Sequence, residues 1–129
     1  MSDCAFCDRV TNGFFTQSNE HAVAFEDSFP VTPGHTLVIS RQHVESLFAL
    51  TRDARSAMWA LVDSVHEKIV AELAPDGFNI GVNIHDAGGQ TVPHAHVHVI
   101  PRYDGDVDDP RGGVRWVIPN RAEYWDKHK

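Results

Sequence analysis

Apolar and polar positions along the chain follow two different periods. Residues 21–25 (His-Ala-Val-Ala-Phe) and 36–40 (Thr-Leu-Val-Ile-Ser) are short, nearly continuous apolar runs. They predict two strands, the second a central one. Glu26-Asp27-Ser28 is the polar exit of the first, and residues 29–34 form a loop with two prolines. From Thr51 to Leu73 the period lengthens: Met58, Leu61, Val62, Val65, Ile69 and Leu73 recur three or four apart, which predicts one long helix with Thr51 as N-cap. Pro75-Asp76-Gly77 stops it, and residues 44–49 suit a shorter helix. Residues 78–84 alternate strictly, predicting a half-buried strand with Phe78, Ile80, Val82 and Ile84 on its core face. Residues 1–13 read as loop, with Asn12-Gly13 a turn signal. Strands grouped around one long helix, with antiparallel neighbours, give an α+β class.

One alternating run is unlike the others. In residues 94–100, His94, His96 and His98 alternate with Ala95, Val97 and Val99. On a strand this puts three imidazoles on one face, roughly 6.5–7 Å apart, and backs them with an apolar face that can pack on a core. Imidazole titrates near neutrality and serves as nucleophile, proton carrier or metal ligand. The row alone is compatible with zinc ligands in His-x-His spacing or with a nucleophilic imidazole whose neighbours set its tautomer. Gly88-Gly89-Gln90-Thr91 leads into it, so backbone N–H groups and a hydroxyl can face whatever lies over the histidines. Amides beside an imidazole make a cradle for phosphate.

Composition narrows the classes. The 129 residues are 42% hydrophobic, which fits a globular protein with a real core. No apolar run reaches the length of a membrane span, and Met1-Ser2-Asp3-Cys4 lacks the layout of a signal peptide, so a cytoplasmic location is expected. The net charge of −7 argues against nonspecific binding to a nucleic-acid polymer while leaving room for a nucleotide in a local pocket. Cys4 and Cys7 are spaced as a metal or redox pair rather than a structural disulfide.

Residues 94–100 match without departure the pattern His-apolar-His-apolar-His-apolar-apolar of the histidine triad superfamily. The longer run from Gly89 to Arg102, with Gly34-His35-Thr36-Leu37-Val38-Ile39 upstream, closely resembles the fragile-histidine-triad branch, whose members hydrolyse dinucleoside polyphosphates. The resemblance covers roughly residues 4–103, leaving 104–129 as an extension of a single domain. It implies a five-stranded antiparallel sheet with one long helix and a short one, usually paired with a second subunit so that the sheet runs across a homodimer. It implies a nucleotide hydrolase cutting at the α-phosphate of a diadenosine tri- or tetraphosphate or a nucleoside phosphoramidate, and releasing a nucleoside monophosphate. By position, His96 matches the nucleophile that forms a nucleotidyl-histidine, and His98 and His35 match the histidines of the phosphate site. Gln90 and Thr91, with Gly89 in the amide cradle, match phosphate or leaving-group contacts. Asn83 matches a further polar contact, and Asp27 the acid that takes the ribose hydroxyls.

Bacterial members with Cys-x-x-Cys near the start bind structural zinc, and the resemblance extends that ligand set to Cys4, Cys7, His43 and His94. Two thiolates and two imidazoles close a tetrahedral site, which argues against a catalytic zinc on the triad. No organic cofactor is expected. The alternative function is a nucleotide-binding or partner-binding module with incidental hydrolysis. Phe25 and Ile39 suit an adenosine slot no better than several other residues. His21, His66, His85 and His128 read as unconnected with chemistry, and the acidic run 104–109 as a solvated loop. Arg115 and Trp116 are open to two uses, reading the far end of a dinucleotide in a partner's pocket or making plain dimer contacts.

Overall fold

The structure, a computed structural model, describes residues 3–125. The first two residues and the tail with His128 lie outside the described residues. The elements run α1 (Ala5–Asn12), β1 (Gln17–Ser18), β2 (Ala22–Glu26), β3 (Thr36–Ser40), α2 (Arg52–Leu73), β4 (Gly77–Gly81), β5 (His96–Arg102) and α3 (Pro119–Ala122), with short 3₁₀ turns between. The strands form one five-stranded sheet in the order β1-β2-β3-β5-β4, antiparallel at every pairing.

The apolar periods explain the two layers. α2 turns Ala54, Met58, Leu61, Val62, Val65 and Ile69 onto one face of the sheet, where they meet Ala22, Ala24, Val38, Val97 and Val99. Each large side chain buried there contributes about 1.5–3 kcal/mol. The helix opens at Thr51, whose hydroxyl accepts the Ala54 N–H at 3.2 Å. It ends at Ala74, held in the left-handed region at φ 46° just before Pro75. The opposite face of the sheet buries Val23, Phe25, Leu37 and Ile39 against Phe6, Val10 and Phe15. β5 therefore separates the two layers by alternation, with Val97 and Val99 under α2 and His96 and His98 on the other side.

Four expectations need correction. Residues 5–12 are a helix rather than a loop. Cys4 caps it, its Sγ accepting the Cys7 N–H at 3.4 Å, and Gly13 closes it at φ 71°. Phe6 and Val10, four apart, lay it over the second apolar cluster. The alternation of residues 78–84 does not bury all four apolar side chains. Phe78 and Val82 pack on the α2 cluster, but β4 is an edge strand that ends at Gly81, and Ile80 is 38% exposed. The histidine strand starts at His96, with His94 in the bend before it. The expected short helix at 44–49 is one 3₁₀ turn, Leu47–Ala49, capped by Ser46.

Candidate active site and metal cluster

The β3–β5 register sets the site. Leu37 stands opposite His98 and Ile39 opposite His96, so His35, just before β3, comes diagonally beside His98. His35 and His96 are buried at 3% and 5% exposure, and His98 is half-buried. Three aromatic edges hold the rings: Phe6 lies 5.1 Å from His96, His96 lies 5.1 Å from His98, and His98 lies 5.3 Å from His35, centroid to centroid.

Hydrogen-bond partners decide which nitrogen of each neutral ring carries its proton. A carbonyl can only accept, so the 2.7 Å contact from His96 Nδ1 to the His94 carbonyl oxygen requires the proton on Nδ1. His96 Nε2 is left with a free lone pair. A backbone amide can only donate, so Val31 N–H at 3.1 Å makes His35 Nδ1 an acceptor and leaves the proton on Nε2. That N–H donates to His98 Nδ1 at 3.0 Å, with Asp27 Oδ2 3.4 Å from the same nitrogen. His98 is thereby fixed as the Nε2–H tautomer, a donor. The row thus offers a lone pair from one ring and an N–H from the next. Burial holds His35 below its ordinary value against the opposing pull of Asp27. Burial also pushes His98 down to about 4, with His96 and His35 adding to the shift and Asp27 opposing it. Near neutral pH both are uncharged, as the relay requires.

These rings open onto a cavity of about 450 Å³ whose walls include Asp27, Asn83, Thr91, His96 and His98. The structure thus brings five of the expected site residues to one space, with His35 behind His98. Gly89 and Gln90 are not on its wall. The amides of Gly88, Gly89 and Gln90 donate back to His85 O, Asp86 O and His85 O at 3.1, 2.9 and 3.1 Å. The Gln90 side chain accepts from His85 N–H at 2.8 Å and donates to Glu45 O and Val92 O at 2.8 and 2.9 Å. Loop closure engages the Gly88, Gly89 and Gln90 amides and the Gln90 side chain, and of the expected cradle Thr91 reaches the cavity wall. His85, at φ 62°, also contacts Glu45 through Nδ1 at 2.7 Å, a structural role. Sequence reasoning missed Phe6 and Arg9 of α1 and Ser28 and Phe29, which also line the cavity. The four-residue spacing of Phe6 and Val10 was the available signal. Of the two candidate slot residues Phe25 lines the cavity, and Ile39 packs in the apolar cluster.

Beside the cavity, ligand atoms of Cys4, Cys7, His43 and His94 all lie within 4.8 Å of one another. His94 Nδ1 is 3.3 Å from Cys4 Sγ, 3.6 Å from Cys7 Sγ and 3.2 Å from His43 Nδ1, and Cys7 Sγ is 3.2 Å from His43 Nδ1. A tetrahedral ion bound to sulfur at about 2.3 Å and nitrogen at about 2.0–2.1 Å sets its donors roughly 3.3–3.8 Å apart. The donor set therefore fits zinc. His94 is also oriented as a ligand: Nε2–H donates to Ser40 O at 2.6 Å, which turns the Nδ1 lone pair toward the sulfurs. Asp27, His35 and His98 form a second close group, accounted for by the relay above.

The C-terminal segment is tied to itself and to the sheet. Arg115 donates to Ala122 O and Arg121 O, both at 2.9 Å, and lies over Tyr124, so two of its donors are engaged within its own chain. Trp116 donates to Arg111 O at 2.7 Å and lines a hollow with Asn79, Ile100 and Arg102. In the acidic run, Asp106 pairs with Arg102 at 2.8 Å and Asp109 with Arg111 at 2.9 Å.

Sheet, long helix and imidazole row define an α+β protein whose outer sheet face presents the His96 and His98 rings to one cavity. The HIT domain family matches residues 9–105. An uncharacterised HIT-like protein of Saccharolobus solfataricus is 37% identical over 124 residues, which are 94% of this chain and 89% of that protein. A zinc-bound histidine triad family protein from Mycobacterium smegmatis superposes with a TM-score of 0.74 at 33% identity, over 81% of this chain and 78% of that one. The asymmetrical bis(5'-nucleosyl)-tetraphosphatase of Schizosaccharomyces pombe is 36% identical over 88 residues, 68% of this chain and 48% of that protein. The chain belongs to the HIT family. Among the described residues no helix is long and apolar enough to cross a membrane.

A pH dependence of stability follows from His98. Its value falls from 6.5 to about 4 in the folded chain, so below 6.5 the unfolded chain takes up a proton that the folded chain refuses. The contribution is complete above 6.5 and lost as pH falls through 4, at most about 3 kcal/mol in all. Denaturant midpoints of the wild type should fall over that window, and those of His98→Asn should fall less steeply. Parallel curves would refute the assignment.

Proposed function

We propose that this protein is a nucleotide hydrolase working through a nucleotidyl-histidine on His96. The observation that carries the reading is the tautomer of His96, whose Nδ1–H is tied to the His94 carbonyl while the other nitrogen is unprotonated beside the cavity. His96 Nε2 attacks the α-phosphorus. A nitrogen–phosphorus bond forms as the bond to the leaving group breaks, and the leaving group departs with the electron pair. Water then opens the nitrogen–phosphorus bond, releasing the nucleoside monophosphate and restoring the imidazole. His98 donates its Nε2–H to a nonbridging oxygen, a bond that strengthens as charge moves there in the transition state. His35 holds His98 in that tautomer and is a positioning residue. Asp27 accepts from the ribose hydroxyls, while Asn83 and Thr91 bond to the phosphates.

The substrate class is dinucleoside polyphosphates or nucleoside phosphoramidates. Similarity to the Schizosaccharomyces pombe tetraphosphatase supports the first. Gly89 and Gln90 serve this chemistry indirectly, by closing the loop that carries Thr91. The proposal includes a homodimer and a cytoplasmic location.

Cys4, Cys7, His43 and His94 would hold a structural zinc, supported by the donor geometry and by similarity to the zinc-bound Mycobacterium smegmatis protein. With all four positions filled by protein, zinc supplies crosslinking rather than reaction chemistry. It ties α1 to the bend before β5, and no step of the hydrolysis runs through it.

Two experiments test these proposals. Mass spectrometry of a rapidly quenched reaction with diadenosine tetraphosphate should find a nucleotidyl group on the peptide containing His96, and His96→Ala should lose turnover by more than about a thousandfold. Full turnover by that variant would overturn the mechanism. Elemental analysis of the purified protein should give one zinc per chain, and Cys7→Ser should lose it with a lowered melting temperature. Wild-type protein without zinc and with an unchanged melting temperature after chelation would overturn the metal assignment.

A further inference from the structure

One cation in the cavity wall has no part in the chemistry above. Arg9, half-buried on α1, lines the cavity together with His96 and His98. Its guanidinium lies 4.3 Å from the centroid of the Phe25 ring, a stacked position. NH1 donates to Phe14 O at 3.3 Å and NH2 to Ser28 Oγ at 3.1 Å. Among the described residues no carboxylate forms an ion pair with it. Those two bonds use two of the five N–H donors of a guanidinium, and the other three are available to a ligand.

Position in the cavity says which part of a ligand Arg9 meets. The imidazoles mark the phosphate end. Asp27, in contact with His35 behind them, marks the ribose. Phe25, which Arg9 covers, pairs with Leu37, and Leu37 pairs with His98, so Arg9 lies two strands across the sheet from the imidazole row. Phe6 spans the same stretch, with its ring 5.1 Å from His96 and 5.7 Å from Phe25. Phe6 and Phe25, in edge contact with each other, make a continuous apolar floor on which a flat heterocycle can rest, and the Arg9 guanidinium over Phe25 supplies donors at its edge.

We infer that Arg9 reads the base, and that this site prefers guanine to adenine. The inference rests on the proposed function, since the orientation of the nucleotide is taken from the roles of His96 and Asp27. Guanidinium carries only donors, and guanine presents two adjacent acceptors, O6 and N7, that a guanidinium engages as a fork. Adenine replaces O6 with an amino donor, which would face Arg9 donor to donor. A paired contact of this kind discriminates by about 1–3 kcal/mol, roughly 5- to 150-fold. Hypoxanthine keeps O6 and N7 but lacks the 2-amino group of guanine, so it separates recognition of that edge from recognition of the rest of the base.

The test compares kcat/KM for diguanosine, diinosine and diadenosine tetraphosphate in the wild type, Arg9→Leu and Arg9→Lys. The wild type should favour both the guanine and the hypoxanthine compounds over the adenine one by about tenfold. Arg9→Leu should bring the three within about twofold of each other. Arg9→Lys keeps the charge but loses the fork, and should also lower the guanine-to-adenine ratio; it decides the matter if the leucine variant fails to fold. A wild type that prefers adenine, treats the bases alike, or separates hypoxanthine from guanine would overturn the inference, as would a ratio unchanged in the variants. Nucleotidyl-His96 formed equally from all three compounds would refute base reading and leave the hydrolase intact, whereas no adduct from any of them would refute the hydrolase reading itself.

Discussion

Main-chain groups decide which nitrogen of each histidine is free, and the site depends on that constraint. The Ser40 carbonyl takes the Nε2 proton of His94, the His94 carbonyl takes the Nδ1 proton of His96, and the Val31 amide occupies Nδ1 of His35. Main-chain donors and acceptors cannot exchange roles, so the choice of tautomer is built into the fold. His98 inherits its own tautomer from His35. Three rings that look equivalent along a strand thus become a lone pair facing two sulfurs, a lone pair on the ring that lines the cavity, and a donor. The carbonyl of His94 orients His96, and His94 is itself oriented by Ser40 at the end of β3.

Helix α1 joins the metal cluster to the cavity. At one end it carries Cys4 and Cys7, and from the same eight residues it contributes Phe6 and Arg9 to the cavity wall. None of its residues is fully buried. An eight-residue helix has little stability of its own in water. Attachment through two thiolates would therefore set the shape of the cavity wall that Phe6 and Arg9 make.

Much of this was legible in the sequence, where a side chain's role follows from period and residue type. The alternation of residues 94–100 put His96 and His98 on the face opposite Val97 and Val99, and the spacing from Met58 to Ile69 gave α2 with its Thr51 cap. The ligand set was legible only through family resemblance, because Cys4 and His94 are 90 residues apart and meet by tertiary folding alone. α1 was not read as a helix because its cap is a thiol rather than a hydroxyl or carboxylate, and its apolar face is just Phe6 and Val10. The bonds of the Gln90 amide to Glu45 and Val92 were not legible, because nothing local in the sequence indicates them. The dual engagement of Asp27, with Oδ1 accepting from Phe29 N–H and Oδ2 near His35, was likewise not legible, because His35 reaches it only by folding. Ile80 followed the period of its strand, but no neighbouring layer covers that edge.

Long-range proton–nitrogen correlation spectra of the imidazole rings at neutral pH test the assignment of tautomers most directly. The account predicts His96 protonated on Nδ1 with a free Nε2, and His98 protonated on Nε2, each as a single neutral tautomer. A His96 ring protonated on Nε2, or averaging between its two tautomers, would contradict it.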